Sequence, residues 1–316
     1  MAQYVLRRLL LVIPTAIVVS LVVFSSVRLL PGDVVLANIE EDLSVSPERL
    51  EEMRESLGLN VPFWKAYPLW LAGLLKGDLG DSLWTGQPVS EMVAKRLPLS
   101  LEMAILAVAL STIIGIPLGI LQAIRQDTWS DYLGRIIAIS WLAIPSFWAA
   151  TLLLVLPSLW WGYFPPLEYL EVWESPFTNL EKMFLPAIAL AFRQAAAEMR
   201  MTRSTMLEVL RQDYMRTATA KGLRESVVVA RHGLKNAMIP VLTIIGTEFG
   251  FILGGTVISE IVFGLPGLGR LTIEAVNVRD YTVIQGVVLV ITLIYVGVNL
   301  GVDLLYGLFD PRIRYS

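Results

Sequence analysis

Few residues in this chain are of types that do chemistry, which narrows what it can do. The 316 residues contain one histidine, His232, and no cysteine. Disulfides, thiolate metal sites and a thiol nucleophile are therefore excluded. A zinc site or a histidine triad would need groups from another chain. His232 reads as a helix-surface residue rather than a ligand. The run Gly264-Leu-Pro-Gly-Leu-Gly269-Arg270-Leu271 has the glycines of a phosphate loop. However, Arg270 stands where the lysine is needed and Leu271 where Ser or Thr would meet magnesium, so it reads as a turn. The chain has no H-E-x-x-H, no G-x-S-x-G and no paired aspartates of the intramembrane-protease kind. No catalytic, metal-ligating or cofactor-binding residue is assigned.

The remaining candidates are acids in apolar surroundings, where a charge is costly and is a functional candidate by default. Glu248 lies among Gly246, Gly250, Gly254 and Gly255. Small residues let helices approach closely, so this face is expected to pack on another helix. Glu248 then either faces a polar pathway or is a paired structural acid; both readings stay open. Glu102 follows Pro98-Leu-Ser100 and is expected to favour the positive end of a starting helix. Asp303 is expected to snorkel or to pair with Arg312 or Arg314.

The elements that must position these groups are apolar helices. The composition is 55% hydrophobic and only 17% charged, against roughly 25% charged for a soluble domain. Mean hydropathy is +0.63, more apolar surface than a soluble core of this size can hide. Spans are expected near 9–27, 97–124, within 136–167, near 183–197, at 237–262 and at 281–302. Pro157 and Pro165-Pro166 are expected to mark the exit of the third. Leu9–Val27 follows Arg7-Arg8 but lacks a small-residue cleavage site, so it reads as a retained helix.

The fourth span is weak by hydropathy, because Arg193 interrupts it, and charge supports it. With six spans and the N-terminus inside, segments 1–8, 125–135, 193–235 and 310–316 carry 15 Lys/Arg against seven Asp/Glu, a balance of +8. The opposite segments balance at −8. That asymmetry is the positive-inside pattern, and it collapses without the fourth span.

Two loops stand out. In the long acidic loop 31–96, Ser46-Pro47-Glu48 is a helix start, with an end expected near Gly58. After Pro62, the residues Trp64, Tyr67, Leu71 and Leu74 recur at helical spacing. That segment either lies at the membrane interface or packs on the protein. In the basic stretch 203–235, Leu207, Leu210 and Tyr214 fall on one helical face, and Gly222 ends the pattern. A second short helix is expected from about Glu225 to Leu234, completing a protruding elbow that suits a docking partner.

Here the residues resemble a family. Met199-Arg-Met-Thr-Arg-Ser-Thr-Met-Leu-Glu-Val-Leu-Arg-Gln-Asp-Tyr-Met-Arg-Thr-Ala-Thr-Ala-Lys-Gly222 and His232-Gly-Leu-Lys-Asn-Ala-Met-Ile-Pro240 resemble the cytosolic loop of dipeptide/oligopeptide/nickel-type ABC importer permeases. So do Arg7-Arg8, Leu30-Pro-Gly-Asp33, Lys76-Gly-Asp-Leu-Gly80, Leu185-Pro-Ala187, Phe263-Gly-Leu-Pro-Gly-Leu-Gly269, Arg279-Asp-Tyr281 and Asp310-Pro-Arg312. The long loop after span one is similar to that of the first of the family's two permease subunits. Of the general importer pattern Glu-Ala-Ala-x3-Gly, only Ala218 and Gly222 match. The peptide-type version, with Arg216-Thr-Ala218 and Lys221-Gly222, fits.

The resemblance implies an all-α polytopic membrane protein with six transmembrane helices and the type I ABC importer permease fold. It divides the chain into 1–96 (first helix and long loop), 97–309 (permease domain) and a tail, 310–316. It implies a non-catalytic subunit forming half of a pore for peptides, in a bacterial or archaeal inner membrane, with both termini cytosolic. The implied partners are a second permease subunit, two cytosolic ATPases that use ATP and magnesium, an extracytoplasmic binding protein and lipid, with no nucleic acid. The coupling residues would be Asp213, Tyr214, Arg216, Thr217, Ala218, Lys221 and Gly222. The rival reading is a self-contained proton-coupled transporter working through Glu248, a class that usually shows an internal repeat.

Overall fold

The computed structural model describes residues 2–29, 54–55 and 60–309. The expected helix starting at Ser46, the Leu30–Asp33 motif and the tail 310–316 lie outside the described residues. In chain order the helices are α1 (Ala2–Arg28), α2 (Phe63–Leu74), α3 (Val89–Ile124), α4 (Trp129–Ala143), α5 (Ser146–Trp161), α6 (Pro176–Leu210), α7 (Asp213–Ala220), α8 (Glu225–Val227), a π-helical segment Val228–Leu234, α9 (Lys235–Val262), α10 (Leu268–Asn277) and α11 (Tyr281–Phe309). Among the described residues the only strand-like pairing is one bridge, Asp81 to Pro88.

Among the described residues, four helical runs are long and apolar enough to cross a membrane: residues 4–28, 89–124, 225–262 and 281–307. The pair α4–α5, bent by 100°, makes a fifth if counted as one span. The expected count of six is thus not reached on length and composition alone. The helix that falls short is α6. Its 35 residues extend about 50 Å at helical rise. Glu181, Lys182, Arg193, Glu198, Arg200 and Arg203 interrupt every span-length stretch of it.

The third span also differs from expectation. The chain bends at Ile144-Pro145, where Ile144 is extended (φ −76°, ψ 123°), as a residue before proline must be. Pro157 lies inside α5, and the helix leaves through Gly162 in the left-handed region. The second span begins at Val89, so Glu102 sits deep within α3 and caps nothing. It accepts instead from Tyr169 Oη (2.9 Å) and Asn179 Nδ2 (3.2 Å).

The described chain resolves into two compact units. The first comprises residues 1–9, 101–265 and 297–316. At its centre α6 packs on α9, α4 and α5, through a face rich in Ala and Met: Met183, Ala187, Ala195, Ala196 and Met199 are all buried. The contact with α3 is close enough that a Cβ at Gly119 would lie 2.6 Å from the Met199 carbonyl oxygen. Asp303 of α11 pairs with Arg8 of α1 at 2.9 Å; the basic partners expected for it, Arg312 and Arg314, lie outside the described residues.

The second unit comprises residues 10–100 and 266–296. Its core joins Val89 and Val93 of α3, Leu268, Leu271 and Ala275 of α10, and Val283 and Val287 of α11. α2 packs on α1: Tyr67 shares a hydrogen bond with Ser20 (2.9 Å), and the Phe24 ring meets Phe63, Tyr67 and Trp70. Of the two readings open for this segment, packing on the protein holds for that face, while Trp64 stays exposed. Gly264 begins a turn (φ +65°), but Gly267 already flanks α10, so the glycine run is half turn and half helix start.

Candidate functional site

The elbow is built differently from its sequence pattern. α6 ends at Leu210, and Gln212 (φ −72°, ψ 149°) is extended before α7 starts. The helical phase is therefore reset, and Tyr214 leaves the face shared by Leu207 and Leu210. It is 42% exposed, and its hydroxyl accepts from Asn236 Nδ2 at 2.8 Å. The residues that seat α7 are Met215 and Ala218, packed on Val228 with Val209 and Leu210 beside them. The expected second short helix is not separate. α8 and the π-helical turn run directly into α9. His232 lies half-buried in that turn; π turns recur at functional sites because they re-aim side chains.

Of the candidate residues, Ala218 faces inward and the others are exposed. Asp213, Arg216, Thr217, Lys221 and Gly222 share one small protrusion. The Arg216–Asp213 pair, at 3.5 Å between side chains exposed by 79% and 96%, is of a kind that adds little stability. Thr217 Oγ1 donates to the Asp213 carbonyl at 3.0 Å. Gly222 has φ +75°, and a Cβ built there meets nothing within 4 Å. The conformation, and not crowding, is what requires glycine. An open groove of about 730 Å³ underlies α7, walled by Ile124, Leu210, Met215, Leu223 and Val228 among others. α7 thus rests on few apolar contacts, and its exposed charges Asp213, Arg216 and Lys221 bond at most to one another and to no other element among the described residues.

The root of the elbow is held firmly. Asp131 of α4 is fully buried and accepts two hydrogen bonds from Arg203 of α6, at 2.7 Å and 2.9 Å. Arg135 closes on the same carboxylate. Sequence reasoning missed this clamp, since 72 residues separate the partners. It also missed Asp280, whose carboxylate accepts from Ser82 Oγ (2.5 Å) and the Leu83 and Val283 amides (3.3 Å each). The signal there was available: an acid immediately before an apolar helix is a helix cap.

Glu248 is half-buried in α9 and makes no hydrogen bond or ion pair among the described residues. The charged groups whose fields reach it include Arg193 and Glu198. Glu198 is buried and accepts from Ser111 Oγ (2.8 Å) and Gln194 Nε2 (2.9 Å). The glycines around Glu248 do not form one packed face. Gly246 meets Val302 of α11, while Gly254 and Gly255 have open space around them.

Two family descriptions match the chain. "Binding-protein-dependent transport system inner membrane component" covers residues 115–315, and "Binding-prot-dependent transport system membrane comp, N-term" covers residues 1–104. Among curated relatives, the dipeptide transport system permease protein DppB of Alkalihalophilus pseudofirmus is 40% identical, over 100% of both chains. A putative peptide transport system permease protein of Brucella abortus is 41% identical, again over 100% of both. DppB of Escherichia coli strain K12 is 39% identical over the full length of each. A solved structure described as an amino acid ABC transporter with histidines aligns at TM-score 0.49 and 18% identity, over 71% of this chain and 94% of that one.

Proposed function

We propose a function from one premise: the chain belongs to the family of binding-protein-dependent transport system inner membrane components. It is a multi-pass membrane permease subunit and not by itself an enzyme. Its cargo is peptide, di- or oligopeptides first, as the names of its full-length relatives suggest. It pairs with a second permease subunit to enclose the pore. Two ATPases dock on the cytosolic side and bind the ATP and magnesium. A binding protein delivers cargo from outside.

Both termini are cytosolic, with the bent pair α4–α5 as the third span and α6 as the fourth. The +8/−8 charge split supports that orientation. Residues 1–96 serve as anchor and outer loop, and 97–309 as the pore-forming domain. α7 is the coupling helix: Asp213, Tyr214, Arg216, Thr217, Lys221 and Gly222 meet the ATPase, and Ala218 seats the helix. The single observation carrying this is that α7 exposes the charged groups of Asp213, Arg216 and Lys221, which hold no other element of the described fold. Glu248, without an ionic partner among the described residues, lines the pathway and offers a negative site to a peptide amino terminus.

Reporter fusions after Arg203 and Ser316 should both read inside. An outside signal at Arg203 removes the fourth span and the coupling assignment with it. Uptake of a labelled dipeptide should require ATP. Uptake abolished by an uncoupler yet intact without ATP would establish the proton-coupled rival.

A further inference from the structure

The first unit carries a second pocket that the coupling reading does not use. It has a volume of about 700 Å³ and lies between α4, α6 and the end of α3. Three arginines line it: Arg135, Arg200 and Arg203. Asp131 engages Arg135 and Arg203, whereas the Arg200 guanidinium, exposed on α6, has no ion pair or hydrogen bond among the described residues. Among the described residues, the only other acid bonded to these arginines is Asp127, itself 63% exposed and 3.3 Å from Arg135. The wall therefore keeps a positive excess.

Two further features define the pocket. Gln122 lines it and is 2% exposed, and its Nε2 has no acceptor among the described residues. A buried amide donor left without an acceptor is unfavourable, so the site is short of an acceptor. The rest of the lining is apolar, with Ile139, Ala197, Met201 and Ile244. Ile139 belongs to a run of exposed apolar side chains on α4 that includes Trp129, Tyr132, Leu133 and Ile136. Trp and Tyr at the charged end of an apolar helix are the signature of a membrane–water interface.

We propose that this pocket binds the phosphate of an anionic phospholipid of the inner leaflet, with Arg200 as the principal contact and an acyl chain along Ile139 and the α4 face. Basic pockets between membrane helices at the cytosolic side take such headgroups. The mixture of guanidinium and exposed aliphatic surface suits a lipid better than free phosphate. The leaflet assignment rests on the topology proposed above; the binding itself does not, so the two are tested separately.

The test uses the assembled transporter in detergent, stripped of lipid and titrated with phosphatidylglycerol or phosphatidylcholine while retained lipid is counted by native mass spectrometry. Phosphatidylglycerol should be retained in preference to phosphatidylcholine. Arg200→Gln should weaken that preference about five-fold, the worth of one basic residue at an anionic surface, and Arg200→Lys should largely keep it. Equal retention of the two lipids, or an unchanged preference in Arg200→Gln, overturns the proposal. Displacement of phosphatidylglycerol by excess inorganic phosphate would assign the pocket to free phosphate and overturn the lipid reading. Failure of the Arg203 reporter to read inside would move the leaflet and leave these results standing.

Discussion

Two regions carry dense sequence motifs, and the structure uses them in opposite ways. In the second unit, the motif Lys76–Gly80 and the motif Arg279–Tyr281 converge on a hydrogen-bonded platform. Gly80 has φ +82°, and a Cβ there would lie 2.8 Å from Thr282 Cγ2. Asp280 is 2% exposed and fully engaged, and Trp84 Nε1 donates to the Val278 carbonyl. At the elbow, the polar motif residues of α7 are exposed and almost unbonded. The platform's residues have a folding reason to be what they are. On α7 the exposed charges of Asp213, Arg216 and Lys221 hold no other element of the described chain, which directs attention to a partner. A motif thus becomes evidence of function when folding does not account for it.

This contrast sets an order of expected effects on stability. The largest belongs to the clamp at the elbow's root. Asp131→Ala removes the buried carboxylate shared by Arg203 and the part-exposed Arg135, and removing one partner of such a pair costs up to about 3 kcal/mol. Thermal unfolding in detergent should show the loss. If it does not, the elbow is loose from its root upward and the contrast with the platform fails. Asp280→Asn comes next, at about 2 kcal/mol, because hydrogen bonds to a charged acceptor weaken or invert. Its effect should appear as increased proteolysis of the 79–88 turn.

The two glycines sharpen the comparison at a smaller scale. Gly80→Val combines left-handed strain with a clash, whereas Gly222→Val carries strain alone, about 1–2 kcal/mol. Gly80→Val should therefore lower expression and stability, while Gly222→Val inserts and assembles normally and loses transport. Equal stability losses would mean that Gly222 is packed in the assembled state.

Weaker still is a pH effect confined to the platform. Burial acts to raise the Glu274 carboxyl, but hydrogen bonds from Arg96 and Arg270 outweigh it and hold the group below its ordinary range. A depressed carboxyl stabilises above its unfolded value, about 4.3, and that stability is lost as pH falls through the folded value. Glu274→Gln should lower stability slightly between pH 6 and 8, where the carboxylate contributes, and should abolish the further loss seen in the wild type as pH falls below about 4.3.

Much of this architecture was readable from the residues. Long apolar runs set α1, α3, α9 and α11, despite Glu102 in α3 and Glu248 in α9, because a helix satisfies its own backbone groups in lipid. Gly222 was readable as a break, because a positive φ selects glycine. The break before α7 was not, since Arg211 and Gln212 continue the helical period and carry no Gly or Pro signal. Missing it put Tyr214 on the wrong face and hid Met215 as the residue that seats the helix. The Asp131–Arg203 clamp was hidden for a different reason: it joins α4 to α6 across 72 residues, which local pattern does not encode. The α4–α5 bend did carry a local signal, Pro145, which holds Ile144 in extended backbone. Among the site residues, composition found the exposed charges and tertiary structure was needed to separate them from Ala218.

The central claim is that α7 serves a partner and not the fold. The most direct measurement is ATP hydrolysis stimulated by loaded binding protein, in the assembled transporter carrying Arg216→Ala with Lys221→Ala. Both side chains are exposed, so unfolding should shift by no more than about 0.5 kcal/mol, and the subunits should co-purify. The account predicts basal hydrolysis with the stimulation and the peptide uptake lost. Stimulation and uptake at wild-type rates in that complex would contradict it.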